Sequence, residues 1–146
     1  MKKKIYVASS WRNENQPMVV NFLRSNGFDV YDFKNPYGNP GFQWTNIDQN
    51  WQDWTPEEFR EGLKTKEAQF GFNRDFDAMK AADACVLLLP CGRSAHLEAG
   101  YMKGAGKRVI AYNNTEHMSI EPELMYNLLD GIALNRSELL QMLLKP

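Results

Sequence analysis

The sequence predicts an α/β fold in which a five-stranded, mostly parallel sheet carries helices on both faces. Three observations lead to this prediction. Short apolar runs alternate with amphipathic segments along the 146 residues, as they do where helices connect strands. Residues 84–89 (ACVLLL) are almost entirely apolar, which is typical of a central parallel strand covered on both faces. No linker, repeat or low-complexity stretch interrupts the chain, so we expect one domain over residues 1–146.

The first third of the chain predicts a strand, a helix and a second strand. Residues 3–8 form an apolar run that ends in a polar turn. Residues 17–25 place apolar side chains on one helical stripe, and Asn26-Gly27 predicts the end of that helix. Residues 28–33 alternate apolar and acidic side chains, which indicates a half-exposed strand near an edge of the sheet.

Residues 35–54 have a different composition from the rest of the chain. They contain two prolines and two glycines together with Trp44, Trp51 and Trp54. A loop of this length in a compact domain is either functional or disordered, and so much aromatic surface argues against disorder. We therefore expect an ordered lid.

The next segments predict two helices before the central strand. Thr55, Pro56 and Glu58 match the N-cap, first position and third position of a capping box. A second helix is predicted over residues 72–82. The remaining predictions are a helix over 94–103, a strand over 108–112, a helix over 120–129, a strand over 131–134 and a helix over 137–144 capped by Asn135.

Composition excludes several classes of function. Seventeen Lys and Arg residues nearly balance eighteen Asp and Glu residues, so the chain lacks the basic excess typical of proteins that bind polymeric nucleic acid. No apolar run is long enough for a membrane span or a secretory signal, so we expect a cytoplasmic protein without a membrane partner. Cys85 and Cys91 have no zinc-ligand spacing, and we expect neither a metal nor a cofactor.

Polar side chains follow the first and third predicted strands. Ligands of open α/β sheets bind beyond the carboxyl ends of strands, so these turns are the candidate site. Ser94 and Glu98 are four residues apart and share a helix face, and Arg93 beside the free first-turn N–H groups suits an anion. On pattern alone, Ser94 could instead only cap its helix and Glu98 could be a solvated glutamate. His96 lies on the opposite side of the helix from Glu98 and is expected to be supporting or exposed.

Several blocks of the sequence resemble the nucleoside 2-deoxyribosyltransferase family. They are residues 5–11 (IYVASSW), 73–83 (NRDFDAMKAAD), 96–101 (HLEAGY) with Gly106-Lys107, and 122–125 (PELM). The blocks occur in the order of the family and leave out mainly the Trp-rich segment 35–54.

The resemblance implies a flavodoxin-like sheet and gives three residues catalytic roles. Glu98 would be the nucleophile, Asp75 would assist at the base, and Tyr6 would orient the nucleophile. It also implies a homo-oligomer in which the Met125 segment contributes to a neighbouring site. The substrate, a small nucleoside or nucleotide, would contact Ser9, Ser10, Trp11, Arg12, Gly92, Arg93, Ser94, Glu123 and Met125.

Two positions depart from the pattern of the family, and the reaction stays open between transfer and hydrolysis. Gly92 stands where the family often has an acidic residue, and Glu123 stands where an asparagine is common. Related nucleotide N-hydrolases hold a 5′-phosphate with serines and a basic residue, a role that Ser9, Arg12, Arg93 and Ser94 could fill. The alternatives are a 2′-deoxynucleoside 5′-monophosphate N-hydrolase, a catalytically silent nucleotide-binding module and an NAD-cleaving domain.

Overall fold

A computed structural model of the chain, which describes residues 1–114 and 121–146, has a parallel sheet of the order β2-β1-β3-β4-β5. Every neighbouring strand pair is parallel, so the prediction of a mostly parallel five-stranded sheet is confirmed. The strands are β1 (Lys4–Ala8), β2 (Asp29–Tyr31), β3 (Ala84–Leu88), β4 (Arg108–Tyr112) and β5 (Gly131–Ala133). The helices are α1 (Gln16–Ser25), α2 (Pro56–Gly62), α3 (Lys66–Ala81), α4 (Arg93–Gly104) and α5 (Arg136–Leu144).

Two apolar layers cover the two faces of the sheet. Alternate residues of β3 point to opposite faces, and all five of its residues are buried, as predicted for the central strand. Val86 and Leu88 pack with buried side chains of α1 and α5, whereas Cys85 and Leu87 pack with those of α3 and α4. The prediction of helices on both faces is therefore confirmed. No helix within the described residues is both long and apolar enough to cross a membrane.

Helix starts follow local capping chemistry, and one start differs from the prediction. The Thr55 hydroxyl accepts from the Glu58 N–H and the Glu58 carboxylate accepts from the Thr55 N–H, so the predicted capping box is confirmed. The prediction that the next helix begins at residue 72 is wrong, since α3 begins at Lys66. Its N-cap is Thr65, whose hydroxyl accepts from the Ala68 N–H at 3.2 Å.

The predicted helix over residues 120–129 is wrong over its described part. The described residues form only a short 3₁₀ helix, Leu124–Leu128, and residue 120 lies outside them. Leu124, Met125 and Leu128 are all exposed, so no buried face supports an α-helix here. The predicted final helix is confirmed: the Asn135 side chain accepts from the Glu138 N–H at 2.8 Å.

The aromatic flap, residues 35–54, is folded onto α2 and α3. It contains three short 3₁₀ helices: Pro36–Gly38, Trp44–Asn46 and Trp51–Asp53. Trp44 packs edge-on against Trp54 with ring centroids 5.9 Å apart. Trp54 and Phe42 lie directly over helix glycines. A Cβ on Gly62 would lie only 2.7 Å from the Trp54 ring, and a Cβ on Gly71 would lie only 2.9 Å from the Phe42 Cβ. Tight contact with helix backbones therefore fixes the flap.

Candidate active site

The turns that follow β1 and β3 lie side by side at the carboxyl edge of the sheet. The Ser9 hydroxyl donates to the Leu88 carbonyl at 3.1 Å, and the Asn13 side-chain amide donates to the Pro90 carbonyl at 3.2 Å. These contacts join two segments almost eighty residues apart in sequence. The predicted site residues of both turns therefore share one edge of the sheet.

Glu98 is paired with a buried tyrosine. Tyr6 lies on β1, is completely buried, and donates its phenolic hydroxyl to Oε2 of Glu98 on α4. Burial raises the pKa of Glu98 to about 7, the Tyr6 hydrogen bond lowers that pKa, and the nearby Asp75 charge raises it. Glu98 is therefore not the solvated glutamate of the alternative interpretation. Its carboxyl group ionises near neutral pH and is held in place by a phenol.

Asp75 is paired with a second tyrosine. The Tyr31 hydroxyl donates to Oδ1 of Asp75 at 2.6 Å. Burial raises the pKa of Asp75 above its usual value, while the Tyr31 hydrogen bond and the Arg74 guanidinium lower it. Asp75 thus combines a raised pKa with a fixed hydrogen-bond partner, a combination that suits proton transfer.

The two carboxyl–phenol pairs form one connected group. Tyr6 and Tyr31 are register partners on the parallel strands β1 and β2, so their side chains leave the same face of the sheet. Their rings stack with centroids 5.4 Å apart and planes 14° apart. The charges of Asp75 and Glu98 also influence each other, because Asp75 contributes to the raised pKa of Glu98. Tyr31 was not among the residues predicted from the sequence.

Free cationic and polar groups lie at the start of α4 and in the turn after β1. Gly92 is the N-cap of α4 and provides no side-chain hydrogen bond, so the interpretation of Ser94 as the cap is wrong. The side chains of Arg12, Arg93 and Ser94 are exposed and make no hydrogen bond or ion pair with another described residue. Together with the first-turn N–H groups they could bind an anion.

The other predicted residues of the first turn have partners within the protein. Ser9 is 7% exposed and its hydroxyl is committed to the Leu88 carbonyl, so its side chain is structural in this arrangement. The Ser10 hydroxyl accepts from the Arg12 N–H at 3.1 Å and shapes the turn. Trp11 is half exposed and packs edge-on against Phe33 with centroids 5.5 Å apart.

His96 connects the start of α4 to the C-terminal 3₁₀ helix. Its Nδ1 lies 2.7 Å from the Gly92 carbonyl and its Nε2 lies 2.9 Å from the Tyr126 hydroxyl. The His96 and Tyr126 rings also stack, with centroids 5.7 Å apart. This contact places the segment with Glu123 and Met125 beside α4. Tyr126 is a second residue that the sequence analysis missed.

Glu123 and Met125 have different surroundings in that segment. The Glu123 carboxylate accepts from the Met125 N–H at 3.0 Å and so caps the 3₁₀ helix. Met125 is 56% exposed, and within the described residues no hydrogen bond joins its side chain to the carboxyl–phenol group.

The Cys91 thiol also follows β3 at this edge of the sheet. Burial and the charge of Glu98 raise the pKa of Cys91 to about 12, which keeps this thiol protonated at neutral pH. Across residues 1–114 and 121–146, no three His, Cys, Asp or Glu side chains are placed to hold a metal ion. The two carboxyl groups, each held by a phenol, are suited to nucleophilic attack and proton transfer.

Comparison with known proteins shows similarity at the level of the fold. No family model matches the sequence, and no curated protein matches it significantly. The fold is similar to that of CMP N-glycosidase from Clostridium botulinum, with a TM-score of 0.52 and 18% identity over 97% of this chain and 98% of that chain. It is also similar to 2-deoxyribosyltransferase from Bacillus psychrosaccharolyticus, with a TM-score of 0.58 and 20% identity over 93% of this chain and 89% of that chain.

A third similar structure is a conserved protein from Enterococcus faecalis V583, with a TM-score of 0.53 and 14% identity over 97% of each chain. All three similarities extend over nearly the whole of this chain. The flavodoxin-like α/β fold implied by the resemblance is therefore confirmed, and identities this low establish the fold alone.

Proposed function

We propose that the protein cleaves or transfers the N-glycosidic bond of a (deoxy)nucleoside or nucleotide through a covalent Glu98–sugar intermediate. The observation that carries this proposal is the pair of phenol-held carboxyls, Glu98 with Tyr6 and Asp75 with Tyr31, at the carboxyl edge of the sheet. Two chains of similar fold are a CMP N-glycosidase and a 2-deoxyribosyltransferase, and both act on such bonds. The proposed reaction class is therefore consistent with both the site and the fold.

The first chemical step breaks the bond between sugar and base. The Glu98 carboxylate attacks C1′, and the electron pair of the C1′–N bond passes to the departing base. Asp75 donates a proton to that base, which prevents the release of an unstabilised anion. In retaining glycosidases two carboxyls about 5–5.5 Å apart divide the same work. Tyr6 donates to the carboxylate of Glu98 and orients it for attack.

The second step regenerates the enzyme. Water or a second nucleobase attacks C1′, its proton returns to the Asp75 carboxylate, and the Glu98–sugar bond breaks. Hydrolysis and transfer differ only in the attacking group, so access of water determines the outcome. The aromatic flap is suited to limiting that access, because its Tyr37 ring packs against Tyr31 with centroids 5.3 Å apart and its Trp and Phe side chains are fixed on helix backbones.

The reaction requires an ionised Glu98 and a protonated Asp75. Burial raises the pKa of Glu98 to about 7, and burial also raises the pKa of Asp75 above its usual value. The two charges interact, and the apparent pKa values of a pH profile belong to the pair. A bell-shaped dependence of kcat/KM on pH is expected.

The substrate could carry a 5′-phosphate group, as the N-hydrolase alternative requires. Within residues 1–114 and 121–146, the side chains of Arg12, Arg93 and Ser94 have no hydrogen-bond or ion-pair partner, and the N-cap of α4 makes no side-chain hydrogen bond. A charge-assisted hydrogen bond is worth about 1.5–3 kcal/mol, so a monophosphate should bind at least about tenfold more tightly than its nucleoside. Arg93→Ala should remove most of this preference. Equal affinity for both ligands would instead favour a transferase of free nucleosides.

The proposed function is tested with a panel of nucleosides and nucleoside monophosphates, each with and without a free acceptor base. Chromatography detects the released base and any exchanged product. Glu98→Ala should abolish turnover, whereas Glu57→Ala, which removes an exposed glutamate of α2, should leave turnover unchanged. Ligand binding without any turnover by the unmodified protein would instead indicate a silent binding module, and base release by Glu98→Ala would contradict the covalent mechanism.

We also propose that the protein is a homo-oligomer. Leu124, Met125 and Leu128 are all more than half exposed on the 3₁₀ helix beside α4, where Leu97 is 75% exposed. Such a patch is commonly an interaction surface. Light scattering should give a mass at least twice 16.9 kDa, and Leu97→Glu should lower it. A fully active monomer at all concentrations would contradict this proposal.

A further inference from the structure

Tyr31 lies at the end of β2, and the steps of the proposed reaction give it no role of its own. Its ring is 9% exposed and lies between the ring of Tyr6, at 5.4 Å, and the ring of Tyr37, at 5.3 Å. Its hydroxyl reaches Oδ1 of Asp75 at 2.6 Å across a separation of 44 residues. The hydroxyl of this buried phenol donates a hydrogen bond to a carboxyl group, which indicates a role beyond packing.

We propose that Tyr31 is a positioning residue which, by donating its hydroxyl hydrogen bond to Asp75 and stacking on Tyr6, holds the Asp75 carboxyl at a fixed place relative to Glu98. The inference rests on the proposed function, because it assigns a purpose to a contact with the proposed acid. Tyr31 itself does not exchange a proton with the substrate.

The sheet register explains how this arrangement would work. Tyr6 and Tyr31 are register partners, so the two phenols extend in parallel from neighbouring strands, and each reaches a carboxyl group on a different helix. The spacing between the phenols is set by hydrogen-bonded strands, which are among the most rigid parts of a domain. The sheet thereby fixes the spacing between two carboxyls whose own helices could otherwise shift.

A phenol suits this task in both protonation states of the acid. It donates to the ionised carboxylate, and it can keep a hydrogen bond to the protonated carboxyl because its oxygen is also an acceptor. A backbone N–H could serve only the ionised state. The contact can therefore persist while Asp75 loses and regains its proton.

The charged and titratable groups around Asp75 predict the direction of the pH effect. They are Arg74 on its own helix, Tyr31 from β2, Tyr6 from β1 and Glu98 from α4. Of these, the Tyr31 hydrogen bond and the Arg74 charge favour the ionised form. Removing the hydroxyl deprives that form of a partner, so the pKa of Asp75 should rise. A raised pKa keeps Asp75 protonated to higher pH, and the alkaline limb of kcat/KM should move upwards.

The test compares Tyr31→Phe with Tyr37→Phe. Tyr37→Phe removes a hydroxyl from the same group of rings, but that hydroxyl has no hydrogen bond to a carboxyl among the described residues. Carbon-13 NMR of labelled aspartate carboxyls measures the pKa of Asp75 without any substrate. Tyr31→Phe should raise it by about one pH unit, the lower end expected for a hydrogen bond to a charged group, and Tyr37→Phe should not change it. Thermal unfolding checks that both variants are folded.

Kinetics supply the second readout. With a natural base as leaving group, Tyr31→Phe should reduce kcat by roughly 10- to 100-fold, the effect expected from a misplaced acid, with little change in KM. With a 4-nitrophenyl leaving group, which departs without protonation, the loss should nearly disappear. Tyr6→Phe should reduce the cleavage of both substrates, because it acts on the nucleophile.

The outcomes separate this proposal from the proposed function. An unchanged Asp75 pKa in Tyr31→Phe overturns the role of Tyr31, even if Glu98→Ala is inactive and the proposed reaction stands. Equal losses for both leaving groups also overturn it. A raised pKa together with a selective loss for natural bases supports it. A protein that cleaves no substrate contradicts the proposed function, while the NMR titration still decides whether Tyr31 controls Asp75.

Discussion

Replacing Glu98 by glutamine should abolish turnover and stabilise the folded protein above neutral pH. The amide is not a nucleophile, so the proposed covalent step cannot occur. The stability gain has a separate cause. Glu98 must ionise in a buried place next to the charge of Asp75, and both effects disfavour its carboxylate. Glutamine has nearly the same shape, carries no charge, and can still accept the Tyr6 hydrogen bond.

The size and sign of the effect follow from the pKa of Glu98. A carboxyl whose pKa is higher in the folded state binds its proton more tightly there, so the stabilisation that protonation provides is complete below the unfolded pKa. That stabilisation is lost as pH rises from 4.5 to about 7. At about 1.4 kcal/mol for each pH unit, the unmodified protein loses roughly 3 kcal/mol across this window. Glu98→Gln does not lose it.

Thermal unfolding at a series of pH values measures this difference. At pH 4 the two proteins should have similar Tm values, because both side chains are uncharged. At pH 8 Glu98→Gln should unfold at a temperature higher by roughly 6–12 °C for a domain of this size. Glu57→Gln, at an exposed position of α2, should show no such trend. A Tm difference that is constant with pH would refute the assignment of a buried, raised-pKa carboxyl to Glu98.

Two further predictions concern the acid and the flap. Asp75→Asn should slow the release of natural bases by roughly 10²–10⁴-fold, and it should slow the cleavage of a 4-nitrophenyl substrate much less. Equal losses for the two substrates in a steady-state assay would contradict the role of Asp75 as the acid. Gly71→Ala should destabilise the protein by about 1–3 kcal/mol, because the new Cβ would lie 2.9 Å from Phe42. Gly100→Ala in α4 is the control, because its new Cβ meets open space, and it should be neutral or stabilise the protein by about 0.5–1 kcal/mol. Similar denaturation midpoints for the two variants would argue against close packing of the flap.

Local chemistry made much of the fold predictable. The apolar run at residues 84–89 contains the fully buried β3, and the capping box at Thr55 begins a helix as predicted. Both signals reside in a few adjacent residues. The predicted start of α3, residue 72, is too late, because residues 66–71 have no apolar stripe of their own and depend on Thr65 as cap. The sequence predicts an α-helix where the structure has the 3₁₀ helix Leu124–Leu128, because exposed apolar side chains give the same pattern as buried ones.

The candidate site was predictable where residues follow strand ends, and not where contacts depend on register. Ser9, Arg12 and Arg93 lie where parallel-sheet topology places them, in two adjoining turns. Their roles in binding stay predictions. No sequence pattern distinguishes Tyr31 and Tyr126 from other tyrosines of the chain. Their contacts with Asp75 and His96 span 44 and 30 residues, and only the paired strands and packed helices bring them together.

The pairing of each carboxyl with a phenol also indicates why the two acids can have different roles. Tyr6 is completely buried and bonds the carboxyl whose pKa reaches about 7, whereas Tyr31 is near the sheet edge and bonds the carboxyl that Arg74 also stabilises as an anion. A nucleophile must be ionised before attack, yet the measured order of ionisation of a coupled pair need not match the roles. In the proposed reaction the departing base accumulates negative charge near Asp75 as the C1′–N bond breaks, and this charge favours a proton on Asp75 over a proton on Glu98. One proton shared by the two carboxyl groups then leaves Glu98 ionised as the nucleophile and Asp75 protonated as the acid.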